Sequence, residues 1–224
     1  MDRRTLREIT GLTDPRGRVF VVSGPSGVGK DCVLDGLLSH PLRLPGLCRV
    51  VTATTRSPRP GERDGRDYVF LSHEEFMRRR SAGWFFETAQ FGSNWYGTPR
   101  DALDAVCTSG SDAVLKIETQ GAAAAKAQIP DAVLIFICPP SLDALAARLS
   151  NRATETVEAL QERISQARVE LERAAHYDYV IVNDDLAQAV DALRAIVLAE
   201  RHRVARSSLE SGTRDGAAIG AAKE

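Results

Sequence analysis

Apolar runs separated by polar, glycine-rich and proline-rich breaks divide the chain into alternating strand and helix segments. Val19-Phe20-Val21-Val22 is continuous and short and predicts a buried strand, and Cys32-Val33-Leu34-Asp35-Gly36-Leu37-Leu38 beyond it predicts a helix. After a loop punctuated by Pro41 and Pro45, Cys48 to Thr52 starts a new extended run. Ser72-His73-Glu74-Glu75-Phe76 predicts a helix start, with Ser72 as N-cap, Glu75 as its capping-box partner and an end near Gly83. Trp84 to Phe91 reads as a strand, and Ala102, Leu103 and Val106 predict a helix from Thr98 that stops by Gly110. Ala113 to Glu118 alternates as a strand and leads, at Gln120-Gly121-Ala122, into a helix of small residues. Val133 to Cys138 predicts another buried strand, stopped by Pro139-Pro140. Ser141 then caps a helix on which Arg148 and Arg152 share a face, and a long helix from about Val157 to Arg173 carries Arg163. Tyr177 to Asp185 is the last predicted strand and Leu186 to Arg203 the last helix. Residues 1–17 predict a flexible N-terminal extension and 204–224 a disordered tail.

Between the first strand and the first helix stands Gly24-Pro25-Ser26-Gly27-Val28-Gly29-Lys30. That strand–loop–helix context makes G-x-x-x-x-G-K a phosphate-binding P-loop. Successive backbone N–H groups can face one anion only where the chain takes dihedrals that side chains disfavour, which is the task of the glycines. Lys30 adds a point charge for the outer phosphates, and the following helix directs its positive dipole end at them. The next residue, Asp31, stands where a P-loop usually has the Ser or Thr hydroxyl that holds Mg²⁺.

A second stretch, Thr52-Ala53-Thr54-Thr55-Arg56-Ser57-Pro58-Arg59-Pro60-Gly61-Glu62-Arg63-Asp64-Gly65-Arg66-Asp67-Tyr68, excludes a helix by its prolines and glycines. Arg56 and Arg59 on stiff backbone beside a tyrosine hydroxyl suit another phosphate, which guanidinium forks bind bidentately. Composition sharpens this. A net charge of -1 over 224 residues gives no global attraction to nucleic acid or an acidic membrane, so phosphate affinity must be local. No apolar run approaches the ~20 residues needed to span a bilayer, and a cytoplasmic protein is expected. Cys32, Cys48, Cys107 and Cys138 form no C-x-x-C pair and suggest neither zinc nor redox chemistry.

The P-loop, the T-T-R-x-P-R-x-G-E-x-x-G-x-D-Y stretch and the later F-x-E, Y-G-T and Q-G-A segments resemble guanylate kinase in order and spacing, from about Arg18 to Arg203. The resemblance implies an α/β fold of three α/β/α layers with a parallel core sheet, spanning residues 18–51 and 99–203. It further implies a small mixed GMP-binding lobe at 52–98 and a helical lid at about 148–163. It implies ATP with Mg²⁺ as donor and GMP as acceptor. Glu87 would accept the guanine N1 and N2 protons and Thr98 would contact the base. Tyr96 would join Arg56, Arg59 and Tyr68 on the GMP phosphate, with Thr52 beside them. Arg148, Arg152 and Arg163 would close over the ATP phosphates, and Asn183 would lie near the adenine. Whether the chain is a monomer or a homo-oligomer stays open.

Two positions depart from the family. It usually writes D-I-D-x-Q-G where this chain has Lys116-Ile117-Glu118-Thr119-Gln120-Gly121. Glu118 keeps an acid that could face the guanine or the magnesium shell, whereas Lys116 reverses the charge. Asp31 could itself ligate Mg²⁺, yet at ~5 Å and a dielectric of ~20 it would repel each phosphate charge by roughly 3 kcal/mol. The two departures together predict an Asp31–Lys116 pair. The Lys30-Asp31 junction also resembles the P-loop of ribose 1,5-bisphosphate phosphokinase, a family with no need for the arginine stretch or for Glu87. A further alternative is the peptide-binding guanylate-kinase-like domain of scaffold proteins, whose P-loop is usually degraded.

Overall fold

A computed structural model of the chain describes residues 16–150 and 157–203. The elements are β1 (Val19–Ser23), α1 (Lys30–Ser39), β2 (Leu47–Arg49), β3 (Ala53–Thr54), β4 (Val69–Phe70), α2 (His73–Ser81), β5 (Phe85–Phe91), β6 (Asn94–Pro99) and α3 (Arg100–Thr108). They continue with β7 (Asp112–Lys116), α4 (Thr119–Gln128), β8 (Val133–Cys138), α5 (Leu142–Ser150), α6 (Val157–Glu172), a 3-10 turn (Arg173–His176), β9 (Tyr179–Val182) and α7 (Leu186–Arg201).

Among the described residues the core sheet has five strands in the order β2-β7-β1-β8-β9, all parallel. Alternation along β1 sorts the side chains between two cores. Phe20 and Val22 join Val33 and Leu34 of α1, Ile135 and Ile137 of β8, and Leu193 and Val197 of α7. Val19 and Val21 face the other way, towards Leu103 and Cys107 of α3 and Ala122 and Ala125 of α4. The result is the expected three layers, helices covering both faces of a parallel sheet. A second, four-stranded sheet in the order β4-β3-β6-β5 mixes one parallel with two antiparallel pairings. It closes over Ala53, Phe76 and Phe85, with Trp84 and Trp95 packed against them.

Several boundaries differ from the sequence reading. Of the run from Cys48 to Thr52 only Cys48 and Arg49 are strand, in β2 paired with β7, and the next strand, β3, starts beyond it at Ala53 and pairs with β6 in the other sheet. Thr98 belongs to β6, and the helix starts two residues later, behind Pro99, whose φ of -59° suits a helix entry. The strand before Glu118 is Asp112–Lys116 and does not alternate, because a central strand is covered on both faces and every residue is buried. The Ser72 cap is present, its hydroxyl accepting the Glu75 N–H at 3.1 Å. The Glu75 carboxylate turns instead to Arg78 and Arg79, so the reciprocal half of the capping box is replaced by ion pairs.

Candidate active site

β1 delivers the chain to the P-loop, which bends through positive φ at Gly24 (143°), Gly27 (86°) and Gly29 (96°). At Gly24 the space is also closed, since a Cβ would collide with the Ile137 carbonyl of β8. Lys30 opens α1 and folds back over the loop, its Nζ donating to the carbonyls of Gly24 and of Pro25, the latter at 3.2 Å. Its side chain is buried, so this cation is held where the loop wraps.

Later elements converge on the same loop. Arg163 of α6 donates to the Ser26 hydroxyl at 2.8 Å. Arg148 of α5 donates to the Val28 carbonyl at 3.4 Å and to the Asn183 carbonyl at 2.9 Å. Asn183, expected near the adenine, is buried at the end of β9, and its amide donates to the Val28 carbonyl at 2.8 Å. Its described contact is therefore with the loop itself. Arg152 and the expected lid tip lie outside the described residues.

The register pairs Lys116 of β7 with Val22 of β1, which brings Lys116 beside the first turn of α1. There Lys116 Nζ donates to Asp31 Oδ1 at 2.6 Å, forming the pair that the two departures predict. Arg49 of β2 donates to the same oxygen at 3.1 Å. Desolvation opposes ionisation of Asp31, but Lys116, Arg49 and Lys30 outweigh it and hold the carboxyl below its usual range. Burial likewise works against charged Lys116, and Tyr68 and Asp31 overturn it, raising its pKa. Asp31 therefore does not stand as a bare anion beside the phosphate loop.

On the lobe, Arg56 Nη2 donates to both carboxylate oxygens of Glu62, at 2.8 and 2.9 Å, and Nη1 donates to the Ser57 carbonyl at 2.7 Å. The other Glu62 role is to accept the Arg59 backbone N–H at 2.7 Å, which fixes the turn while the Arg59 side chain stays exposed. Tyr68 and Tyr96 meet edge to face at 6.1 Å, with the Arg56 guanidinium 5.4 Å over the Tyr68 ring. Arg56, Tyr68 and Tyr96 thus gather as expected. Glu62 stood inside the quoted motif, but an acid that orients an arginine has no signature apart from its partner's position.

Glu87 is 5% exposed on β5. Its Oε1 accepts the Thr98 N–H at 3.1 Å and the Thr98 hydroxyl at 2.7 Å, while burial still pushes its pKa up. A Cβ at Gly121 would stand 2.5 Å from Glu87 Oε2, so the glycine in the first turn of α4 makes room for the carboxylate. Thr52 is buried just before β3, its carbonyl accepting the Val69 N–H. Glu118 precedes α4 and lines a cleft of about 190 Å³ with Gln90, Thr119, Gln166, Glu170 and Arg173. One Glu118 carboxyl oxygen is buried there without a hydrogen bond among the described residues. Burial, with the neighbouring Glu118 charge, pushes Glu170 up to about 7. Arg173 donates to the Thr119 hydroxyl at 2.8 Å across this cleft. Glu170 and Arg173 escaped sequence reasoning because a helical glutamate and arginine look like solvated surface until packing buries them.

Mg²⁺ in phosphate sites is held by one or two carboxylates together with substrate phosphates and water. The donor set fits that pattern through Asp31, whose hydrogen bonds from Lys116 and Arg49 both fall on Oδ1.

A lysine and two arginines drawn onto a glycine loop beyond the ends of a parallel sheet define the class as P-loop kinases. Comparison with known proteins narrows the class. The guanylate kinase family model matches residues 16–200. A guanylate kinase of Symbiobacterium thermophilum is 47% identical over 86% of this chain and 90% of its own length. One of Desulfitobacterium hafniense is 46% identical over 85% and 94%. The crystal structure of guanylate kinase from Anaplasma phagocytophilum superposes with a TM-score of 0.71 at 34% identity, covering 84% of this chain and 88% of that one. The chain belongs to the guanylate kinase family.

Proposed function

We propose that this protein transfers the γ-phosphoryl group of ATP to GMP, giving ADP and GDP, in the cytoplasm. The observation that carries the reading is Glu87, a buried carboxylate on the acceptor lobe. Its Oε1 is satisfied by Thr98, and its Oε2 has been given room by Gly121. Such a group pairs with the adjacent N1–H and N2–H donors of guanine. Adenine presents no matching pair, and leaving a buried acceptor unpaired is how a polar site rejects a wrong ligand.

The transfer needs no covalent enzyme intermediate. A phosphate oxygen of GMP attacks the γ-phosphorus in line, the bond from that phosphorus to the β–γ bridging oxygen breaks, and ADP leaves. Lys30 and the P-loop hold the β and γ phosphates, while Arg148 and Arg163 lie against the loop ready to stabilise charge on the transferring group. Arg56, aimed by Glu62, and Arg59, Tyr68 and Tyr96 hold the GMP phosphate in position for attack. Mg²⁺, when bound to Asp31 and the ATP phosphates, supplies further charge neutralisation.

The test is ADP release from ATP with Mg²⁺, comparing GMP, AMP, UMP, CMP and ribose 1,5-bisphosphate as acceptors. Turnover confined to guanine acceptors is expected. Turnover with the ribose bisphosphate alone would overturn the reading in favour of the phosphokinase that the Lys30-Asp31 junction resembles, and no turnover would favour a binding domain.

A further inference from the structure

We propose that Lys116 is an additional substrate-binding residue, a single cation shared between Asp31 on the donor side and the phosphate of the acceptor. The inference rests on the guanylate kinase reading of the site. β7 places Lys116 at its C-terminal end, next to the strand that feeds the P-loop. From there its Nζ reaches Asp31 Oδ1 at 2.6 Å on the donor side. The same Nζ lies 4.6 Å from the centroid of the Tyr68 ring, which belongs to the acceptor lobe and carries one of the hydroxyls aimed at the GMP phosphate. Arg49 shares Asp31 with Lys116, and Arg56 shares the Tyr68 ring with it, so Lys116 makes both contacts at once.

Asp31 does not need Lys116 to itself, because Arg49 donates to the same oxygen at 3.1 Å. When the GMP phosphate arrives beside Tyr68, Lys116 can donate one of its three protons to that dianion and keep another on Asp31, while Arg49 maintains the neutralisation. The side chain is almost wholly buried, so the phosphate it meets is one already enclosed by the site, where a charge-assisted hydrogen bond is strongest. The lysine permits an aspartate in the P-loop and recovers its charge as a ligand.

The measurement is calorimetric binding of GMP, guanosine and a non-hydrolysable ATP analogue to the full chain and to Lys116→Met, Lys116→Arg and the double variant Asp31→Asn with Lys116→Met. In Lys116→Met, GMP is expected to weaken by about tenfold or more, the range of a charge-assisted hydrogen bond. Guanosine, which lacks the phosphate, should bind as before, which also shows that the variant is folded. The ATP analogue should weaken as well, because Asp31 has lost one of its two neutralising partners. Lys116→Arg should recover most of the GMP affinity. Measured without Mg²⁺, so that Asp31 has no metal to hold, the double variant should restore the ATP analogue but leave GMP weak. Unchanged GMP affinity in Lys116→Met would overturn the proposal, as would full recovery of GMP in the double variant, which would make Lys116 a neutraliser of Asp31 alone. A wild-type chain that binds neither GMP nor guanosine would overturn the guanylate kinase reading and this inference with it.

Discussion

In the proposed reaction, the donor and acceptor halves of this site solve the same problem, holding a phosphate, by opposite means. The donor half is mostly backbone: three positive-φ glycines bend the loop, and Asn183 and Arg148 brace it through the Val28 carbonyl. The acceptor half is mostly side chains oriented by other side chains, Arg56 by Glu62 and Glu87 by Thr98. A backbone cradle recognises the charge that all nucleotides share. A side-chain cradle can be tuned to one base, at the cost of depending on every member of each pair.

The contrast makes the two halves separable by mutation. The largest effect is expected on the donor side, where Lys30→Ala removes the charge that follows the transferring phosphoryl group. Its kcat should fall by about 10³-fold with little change in GMP binding, and steady-state kinetics with GMP titrations check it. Next, Glu87→Gln should lower kcat/KM for GMP by about ten- to a hundredfold while leaving the KM for ATP within about twofold, since it leaves Thr98 in place and spoils only the pairing with guanine. Equal effects on both substrates would erase the proposed division. Glu62→Gln should follow, with a loss of about tenfold in GMP affinity, because Arg56 loses a charged fork partner but remains on the Ser57 carbonyl. Isothermal titration with GMP and with guanosine separates the two, since guanosine should be weakened by the change at Glu87 and not by that at Glu62.

The smallest expected effect lies in stability, at the cleft behind both halves. Burial holds Glu170 near a pKa of about 7, above the 4.5 of a free glutamate, so the folded state binds its proton more tightly than the unfolded state. This contribution is complete below pH 4.5 and is lost as pH rises through about 7. Glu170→Gln should therefore gain about 1–2 kcal/mol at pH 8 and little at pH 4, read as a Tm higher by a few degrees at the alkaline end only.

How much of this was legible depends on how local the cause is. The P-loop is a local object. Its glycines, its lysine and the apolar runs on either side lie within a few residues, and strand, loop and helix appear where the pattern places them. Arg56 and Tyr68 could be named together because one motif of fixed spacing carries both, whereas Tyr96 came from the separate Y-G-T segment and only the fold sets it beside Tyr68. The Thr98 helix start overlooked a local signal, the proline that follows it, whereas the alternation before Glu118 was misread because burial on both faces is not set by covalent neighbours. Pro99 sets the true helix entry, and β7 lies between two strands and under helices on both faces.

The sequence by itself determined the alternation of strands and helices, the phosphate loop and the identity of the cationic and acidic groups, because periodicity, glycine dihedrals and charge are properties of the chain, while the layered arrangement followed only from the family resemblance. It also showed that Asp31 and Lys116 are both unusual, which is enough to predict that they meet. Tertiary structure alone decided which charges neutralise which. Glu62 holds Arg56, and Arg49 shares Asp31 with Lys116. Glu170 is driven into a buried cleft beside Glu118. Coulomb energies and desolvation depend on distance and burial in space, and only the packed sheet, bringing residues tens of positions apart into contact, sets them.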